Sequence, residues 1–95
     1  MTMYHVTSTA AFRRALKRVT RWKDFDEGAL RRVVDLLAQD EPLEIRYRDH
    51  ELKGASTGIR ECHVQNNILL LYRKDKKVLV LLLVDLGSHS ELFGE

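Results

Sequence analysis

The chain has 95 residues, of which 44% are hydrophobic and 32% are charged, and its net charge is +2. This size and composition are typical of one small folded domain and exclude a disordered or fibrous chain. The longest apolar stretch, Val78–Val84, is too short to cross a bilayer, and the N-terminus resembles no signal peptide. A single cysteine, Cys62, excludes an internal disulfide. We therefore expect one domain over residues 1–95, located in the cytoplasm.

The first part of the chain predicts a short strand and two amphipathic helices. Tyr4–Thr7 is aromatic and β-branched, and the hydroxyl cluster after it can cap a helix that begins near Thr9. A second helix is expected to begin after Asp24, with Glu27 in the capping-box position, and to end before Pro42. Apolar residues recur at helical spacing in both segments, namely Phe12, Ala15, Leu16, Val19, Leu30, Val33, Val34 and Leu37. A short connection between the helices predicts an antiparallel helical hairpin.

The second part of the chain changes to patterns that favour strands. Leu43–Gly54 is rich in charges and is predicted to be mainly an ordered loop, with a brief extended piece at Ile45–Tyr47. The elements expected after it are, in order, a strand at Gly58–Val64, a turn at Asn66-Asn67, a strand at Ile68–Tyr72, a charged turn at Lys74–Lys77 and a strand at Val78–Val84. Continuous apolar runs indicate that the last two strands are central in the sheet. We expect Gly87 to close the last strand, and Ser88 or Ser90 to cap a final helical turn.

The predicted order is β-α-α-β-β-β with a short tail. This is an α+β domain in which a helical hairpin packs on one side of a mainly antiparallel sheet. Eight of the sixteen basic residues lie between Arg13 and Arg32, in the predicted helices. Clustered cations of this kind can attract phosphate, and a solvated outer face of the helices explains them equally well.

Three histidines follow in the second part of the chain, on separate predicted elements. His50 lies in the polar loop, His63 on a strand, and His89 just after the last strand. Histidine titrates near neutrality, so a pair can divide the acid and base steps of a reaction. Cleavage of RNA needs such a pair: a base for the 2′-hydroxyl and an acid for the leaving 5′-oxygen. A compact sheet can bring the three side chains to one surface.

The same reaction also needs cations and a surface for the base. Lys53, Arg60 and Arg73 are the candidates that would stabilise the extra charge on the phosphate. Phe93 offers a flat apolar side chain on which an unstacked base can lie.

Two other kinds of chemistry fit these residues less well. The histidine spacings of thirteen and twenty-six residues match no local zinc-ligand pattern. The alternation of a regular strand places Cys62 on the face away from His63, which disfavours a cysteine nucleophile. Each histidine taken singly is more often structural than catalytic.

Three ordered motifs distinguish these histidines from isolated ones. They are Arg48-Asp49-His50-Glu51-Leu52-Lys53-Gly54, Gly58-Ile59-Arg60-Glu61-Cys62-His63-Val64 and Gly87-Ser88-His89-Ser90-Glu91-Leu92-Phe93. Together they resemble the YafQ-like branch of the RelE/ParE toxin superfamily, and the order of the elements is similar along the whole chain.

This resemblance implies the toxin of a type II toxin–antitoxin pair with a RelE/ParE-like fold. Such a toxin enters the ribosomal A site of the 30S subunit and cuts mRNA without a metal or another cofactor. A cognate antitoxin neutralises it, and the complex represses its own operon, so operator DNA is bound only through the antitoxin. By matching position, His50, His63 and His89 form the acid–base and phosphate-binding set, and Phe93 helps to hold the nucleotide. We assign His50 as the base, His89 as the acid and His63 to the phosphate.

The chain departs from the family pattern at two positions. Asn67 stands where relatives often carry a carboxylate; it can hydrogen-bond the substrate but cannot take up a proton near neutral pH. Asp85 stands where many relatives carry arginine, and it would repel phosphate unless it pairs with a histidine such as His89. Two alternatives therefore stay open. One is a ParE-like toxin that inhibits DNA gyrase by protein contact, and the other is a catalytically weakened toxin retained as an antitoxin-binding co-repressor.

Overall fold

The computed structural model describes residues 3–54 and 58–94. The strands are β1 (His5–Ser8), β2 (His50–Glu51), β3 (Arg60–Gln65), β4 (Ile68–Asp75) and β5 (Val80–Gly87). The helices are α1 (Ala10–Val19), α2 (Glu27–Ala38) and α3 (His89–Phe93), with a 3₁₀ turn at Ile45–Tyr47 between α2 and β2. In the described ranges, no helix is long and apolar enough to span a membrane.

The five strands form one mixed sheet in the order β1-β5-β4-β3-β2. Strand β1 runs parallel to β5, and every other neighbouring pair is antiparallel. The predicted α+β class and the mainly antiparallel sheet are therefore confirmed. The two apolar runs form β4 and β5, which are the third and second strands of the sheet, as the lack of alternation indicated.

Helix α1 begins where the hydroxyl cluster predicted. The side chain of Thr9 accepts a hydrogen bond of 2.9 Å from the backbone N–H of Phe12, which caps the first turn. The same hydroxyl donates to the carbonyl oxygen of Val84 at 2.6 Å. The sheet register shifts just before Asp85, so this carbonyl is available to the helix cap. One side chain thus starts α1 and fixes it to β5.

The N-cap of helix α2 lies two residues later than the sequence predicted. The carboxylate of Asp26, not that of Asp24, accepts the backbone N–H of Ala29 at 3.0 Å. The reason is that turn hydrogen bonds continue through Phe25, while the carbonyl of Asp24 accepts the side-chain amide of Gln65 at 2.9 Å. The predicted capping-box role of Glu27 is therefore wrong, since Glu27 is the first helical residue.

The hydrophobic core lies between the two long helices and one face of the sheet. Helix α1 packs against β5, and α2 packs against β3. The side chains that are almost completely buried are Val19, Val33, Cys62, Leu70, Tyr72, Leu81 and Leu86. Adjacent strand residues point to opposite faces, so the residues between these positions on β3 and β4 lie on the other face, which we call the open face.

The loop before β3 differs most from the sequence-based prediction. Ile45–Tyr47 forms a 3₁₀ turn instead of an extended piece, and His50–Glu51 forms the short strand β2, which was not predicted. Tyr47 is the buried residue of the turn, while Ile45 is 95% exposed. A single buried aromatic ring therefore anchors this segment, and one residue produces no periodicity that the sequence could reveal.

The β4–β5 connection also lies further along the chain than predicted. The turn occupies residues 76–79, and Val78 and Leu79 belong to it rather than to β5. Leu79 adopts a left-handed backbone with φ 54°, and Val78 is 65% exposed. The hydrophobic run predicted that the strand begins at Val78. The left-handed backbone of Leu79 instead delays the start of β5 to Val80. The turn at Asn66-Asn67 is confirmed, with Asn67 at φ 68°.

Candidate functional site

The open face of the sheet brings together residues from three strands. The register pairs His50 of β2 with Glu61 of β3, and Glu61 with Leu71 of β4. Side chains of directly paired residues point to the same face, and His63 shares that face with Glu61 because the two are two residues apart. The sheet therefore places His50, Glu61 and His63 side by side, away from the helices.

Glu61 is the centre of this group. Its Oε1 lies 3.6 Å from Nε2 of His50 and 3.9 Å from Nε2 of His63. The residue is only 6% exposed, although it is a carboxylate. A buried carboxylate requires a charged or hydrogen-bonding partner, and the two imidazoles are the groups beside it. Glu61 was not among the residues predicted from the sequence, although alternation along β3 puts it on the same face as His63.

The ring of His50 is oriented by the backbone before it. Its Nδ1 lies 2.7 Å from the carbonyl oxygen of Arg48. In the neutral ring, Nδ1–H donates to that carbonyl and Nε2 carries the free lone pair. Arg48 reaches this position with a left-handed backbone, φ 50°, at the end of the 3₁₀ turn. The side chain of His50 is 53% exposed, so Nε2 is accessible to a substrate.

The ring of His63 is more enclosed, with 33% of its side chain exposed. Burial lowers its pKa below the usual 6.5; Glu61 acts in the opposite direction, and the nearby charges of Arg48, His50 and His89 lower it further. The imidazole is therefore mainly neutral at pH 7. His50 and His89 therefore both lie near enough to His63 for their charges to act on its ring.

Helix α3 carries the other two predicted site residues, His89 and Phe93. A capping box starts it: the hydroxyl of Ser88 accepts the backbone N–H of Glu91 at 3.2 Å, and Glu91 Oε1 accepts the backbone N–H of Ser88 at 2.9 Å. This selects Ser88 over Ser90 as the cap. The rings of His89 and Phe93 lie 4.9 Å apart between centroids, tilted by 49°, and Phe93 is 36% exposed.

Glu91 also connects α3 to the first helix. Arg18 of α1 donates from Nε to Glu91 Oε2 at 3.0 Å. Burial raises the pKa of the Glu91 carboxyl, but the hydrogen bonds from Ser88 and Arg18 outweigh it, and the pKa is lowered. Gly87 makes the arrangement possible, because a Cβ at that position would lie 2.8 Å from Glu91 Oε1.

An open cleft of about 490 Å³, which we call the Arg48 cleft, extends from His63. It is lined by Arg46, Tyr47, Arg48, His63, Val64, Gln65, Asn66 and Asn67. The predicted substrate residue Asn67 thus lines the same cleft as His63. Arg46 and Arg48 make the cleft cationic.

The three predicted phosphate-binding cations have different positions. Arg60 points to the helix side, where Nη2 lies 3.2 Å from Asp49 Oδ2 and Nε lies 3.3 Å from the Tyr72 hydroxyl. The Tyr72 hydroxyl donates to the same carboxylate. The fold therefore does not bring Arg60 to the histidines, as alternation on β3 already implied. Arg73 is exposed and shares the open face with Leu71, and Lys53 is exposed after β2.

Asp85 lies on β5, paired with Leu71. Its Oδ1 accepts the backbone N–H of Leu86 at 2.9 Å. It also lines a shallow cleft with Arg14 and Arg18 of α1, so cations are near it. The pairing of Asp85 with His89 stays a prediction.

Cys62 lies on the helix face with 0% exposure, as its alternation with His63 indicated. Burial raises the pKa of its thiol to about 12, so a thiolate is not available for nucleophilic attack. Within residues 3–54 and 58–94, no group of three or more His, Cys, Asp or Glu side chains has a geometry that could hold a metal ion.

The chain is similar to known proteins along almost its whole length. Residues 4–94 match the family described as bacterial toxin of type II toxin–antitoxin system, YafQ. The mRNA interferase toxin YafQ of Escherichia coli is 35% identical over 70 residues, which span 73% of this chain and 74% of that protein. The metal-bound toxin of Helicobacter pylori is 42% identical, with a TM-score of 0.88 over 96% of this chain and 100% of that one. A chain of the Escherichia coli DinJ–YafQ complex is 26% identical, with a TM-score of 0.85 over 96% and 99%.

Proposed function

The chain belongs to the family of YafQ toxins of type II toxin–antitoxin systems, and on this premise we propose that it is an endoribonuclease that cuts ribosome-bound mRNA with its histidines. The observation that carries the proposal is the grouping of His50, Glu61 and His63 on the open face, with Glu61 Oε1 within 4 Å of both rings, at 3.6 and 3.9 Å. Two bases around one carboxylate favour proton transfer at neutral pH.

His50 is suited to act as the base. Its Nδ1 is held by the carbonyl of Arg48, so Nε2 is directed to take the proton of the 2′-hydroxyl. The 2′-oxygen then attacks phosphorus, and the bond to the 5′-oxygen breaks, which leaves a 2′,3′-cyclic phosphate. Glu61 stabilises the imidazolium that forms on His50.

His89 is suited to act as the acid that protonates the leaving 5′-oxygen. It is exposed at the start of α3, in ring contact with Phe93, on which the neighbouring base stacks. His63, neutral and partly buried, donates a hydrogen bond to a phosphate oxygen. Asn67 hydrogen-bonds the nucleotide, while Lys53 and Arg73 attract the RNA backbone.

The partners follow from the same premise. The homologous toxin forms a complex with DinJ, and this toxin is neutralised by an antitoxin of its own. We propose that it acts in the cytoplasm in the A site of the 30S subunit, without a metal, and reaches operator DNA only through the antitoxin. Exposed arginines and lysines on α1 and α2 supply a surface for an acidic partner or for ribosomal RNA.

Induced expression without an antitoxin tests the function. Wild type should arrest growth and produce ribosome-dependent cuts in mRNA, mapped by primer extension. His50→Ala, His63→Ala, His89→Ala or Phe93→Ala should each relieve the arrest, the histidine changes by lowering cleavage about 10²–10⁴-fold. His5→Ala is the matched control, since His5 lies on β1 at the opposite edge of the sheet from His50.

If all four variants remain fully toxic and folded, the assignment is wrong. A DNA-damage response with intact mRNA would instead indicate the gyrase inhibitor. The weakened co-repressor is favoured by Asn67 and Asp85, which replace a carboxylate and a cation of the family pattern. It predicts antitoxin binding with no cuts in mRNA, and restored cuts in the variant Asn67→Asp.

A further inference from the structure

The proposed reaction needs a cation near the phosphate, and the fold directs one of the three predicted candidates, Arg60, elsewhere. Arg60 is engaged with Asp49 and Tyr72 on the helix side of the sheet. Arg60 is therefore not placed to stabilise the negative charge that builds up on phosphorus oxygens beside the histidines during cleavage.

Arg48 has the position that this role requires. It lies two residues before His50, and its guanidinium lies near enough to His63 for its charge to act on that ring. Both residues line the same open cleft, whose other side is formed by the Asn66-Asn67 turn. The side chain of Arg48 is exposed to solvent.

Two other long polar side chains of the Arg48 cleft, those of Arg46 and Gln65, are already engaged within the fold. Arg46 donates to Glu44 Oε1 at 3.3 Å and to the Tyr47 hydroxyl at 2.9 Å, and its guanidinium stacks 4.6 Å from the centroid of the same ring. Gln65 bonds the segment before α2 through both of its amide atoms. Among the residues that the structure describes, no carboxylate forms an ion pair with Arg48.

The backbone conformation of Arg48 also supports a role of its side chain in the cleft. A left-handed conformation, here φ 50°, is unusual for a residue with a long side chain and costs about 1–2 kcal/mol. In this conformation the carbonyl of Arg48 faces the ring of His50, and the side chain of Arg48 lines the cleft. One residue thus connects the proposed base to the cleft beside His63.

We propose that Arg48 binds a backbone phosphate of the RNA in the cleft that it shares with His63, the role that the sequence had suggested for Arg60. The planar guanidinium is well suited to this contact because it can donate two parallel hydrogen bonds to phosphate oxygens. This inference rests on the proposed function and adds the group that holds the substrate.

Two measurements on Arg48→Gln test the proposal. The first is the rate of mRNA cleavage on programmed ribosomes, which should fall about 10²-fold. The second is binding of a short single-stranded RNA methylated at every 2′-hydroxyl, which cannot be cut. Its logarithmic salt dependence should become shallower by about 0.7 when one phosphate contact is lost. Arg48→Lys should recover part of both effects, because the charge is kept and only the paired geometry is lost.

Arg46→Gln is the matched control, because it also removes a positive charge from this cleft. The guanidinium of Arg46 is already engaged with Glu44 and Tyr47. The substitution should cost little in either measurement. The proposal is overturned if Arg48→Gln and Arg46→Gln give the same salt dependence, or if Arg48→Lys is no better than Arg48→Gln. A wild type whose binding depends on Arg48 but which cuts no mRNA would support the phosphate site and refute the proposed function.

Discussion

The proposed catalytic histidines are supported in two different ways. His63 lies on β3, a six-residue strand that pairs with β2 on one side and β4 on the other. His50 lies on a two-residue edge strand, and His89 begins a helix of five residues. Main-chain hydrogen bonds of the sheet fix His63, but elements as short as β2 and α3 are not stable by themselves. Side-chain contacts therefore have to hold the other two histidines.

Each short element has such a contact at its start. Asp49, next to His50, receives hydrogen bonds from Arg60 of β3 and from Tyr72 of β4. Glu91, on the first turn of α3, caps the helix and binds Arg18 of α1. In both cases an acidic residue at the start of the short element, or just before it, is held by partners on longer elements. The comparison predicts that substitutions in the hydrophobic core mainly lower the free energy of unfolding. Substitutions in these two contacts should lower cleavage by more than their loss of unfolding free energy explains.

The largest loss of unfolding free energy is expected from a substitution in the hydrophobic core. Leu70 of β4 pairs with Cys62 and is completely buried. Leu70→Ala should lower the free energy of unfolding by about 3–4 kcal/mol, because it removes apolar burial and leaves a cavity. Urea denaturation followed by circular dichroism measures this. Leu71→Ala, on the open face and only partly buried, should cost about half as much; an equal cost would show that the open face is as well packed as the core.

The contact at Asp49 should give the next largest effect. Asp49→Ala leaves the buried hydroxyl of Tyr72 without its acceptor and Arg60 without its counter-ion, which should cost about 2 kcal/mol of unfolding free energy. Because His50 follows directly, mRNA cleavage should also fall, by about tenfold or more in fully folded protein. Unfolding and cleavage are measured on the same preparation.

Glu51→Ala is the control for that change, since Glu51 lies on the short strand β2 that Asp49 directly precedes. In the described part of the chain, its carboxylate accepts the exposed backbone N–H of Gly58, at 3.3 Å. If Glu51→Ala slows cleavage as much as Asp49→Ala does, then any change in or beside β2 disturbs its position. The contact of Asp49 with Arg60 and Tyr72 then has no special role.

A smaller effect is expected at α3. Glu91→Ala removes half of the capping box and the ion pair with Arg18, and should cost about 1 kcal/mol. Cleavage should fall by more than this loss of stability explains, because His89 and Phe93 move with the helix. A double-mutant cycle with Arg18→Ala separates the two contacts. A coupling of about 0.2–1 kcal/mol is expected for the half-exposed pair; no coupling would leave the cap as the positioning contact.

The same division explains what the sequence could predict. Helices α1 and α2 and the two apolar strands have strong periodicity or continuous apolar runs, and their existence and order were correct. The motifs also singled out the three histidines and Phe93, whose catalytic role stays a prediction. Strand β2 was missed because two residues at a sheet edge carry no pattern. Arg60 was proposed for the phosphate because it is close to His63 in the sequence, but alternation along β3 turns its side chain to Asp49 and Tyr72 on the helix side.

The role of Glu61 was hidden for a related reason. Its importance depends on His50, which reaches it only through the pairing of β2 with β3. Neither the burial of a carboxylate nor the pairing of a two-residue strand follows from local sequence. Arg48 was overlooked likewise, since its contribution comes from a left-handed backbone at the end of a turn.

The smallest expected effect concerns the protonation of His63. Burial first, and then neighbouring cationic groups, lower its pKa below 6.5, while Glu61 partly offsets them. In an NMR titration, the imidazole of His63 should therefore have a midpoint below 6.5. Glu61→Gln should move that midpoint further down, because the one neighbouring charge that favours the imidazolium is removed. Glu51→Gln, one strand away and facing Gly58, should leave it nearly unchanged.

The same shift gives His63 a defined effect on stability. Between the lowered pKa of the folded protein and 6.5, the unfolded chain binds a proton that the folded chain does not. Acidification through this window therefore destabilises the fold, and above 6.5 the residue contributes no pH dependence. His63→Gln should remove this part of the pH dependence of unfolding, measured by urea denaturation at several pH values. If the dependence is unchanged, His63 is not desolvated in solution, and β3 holds its side chain less firmly than the pairing of the sheet implies.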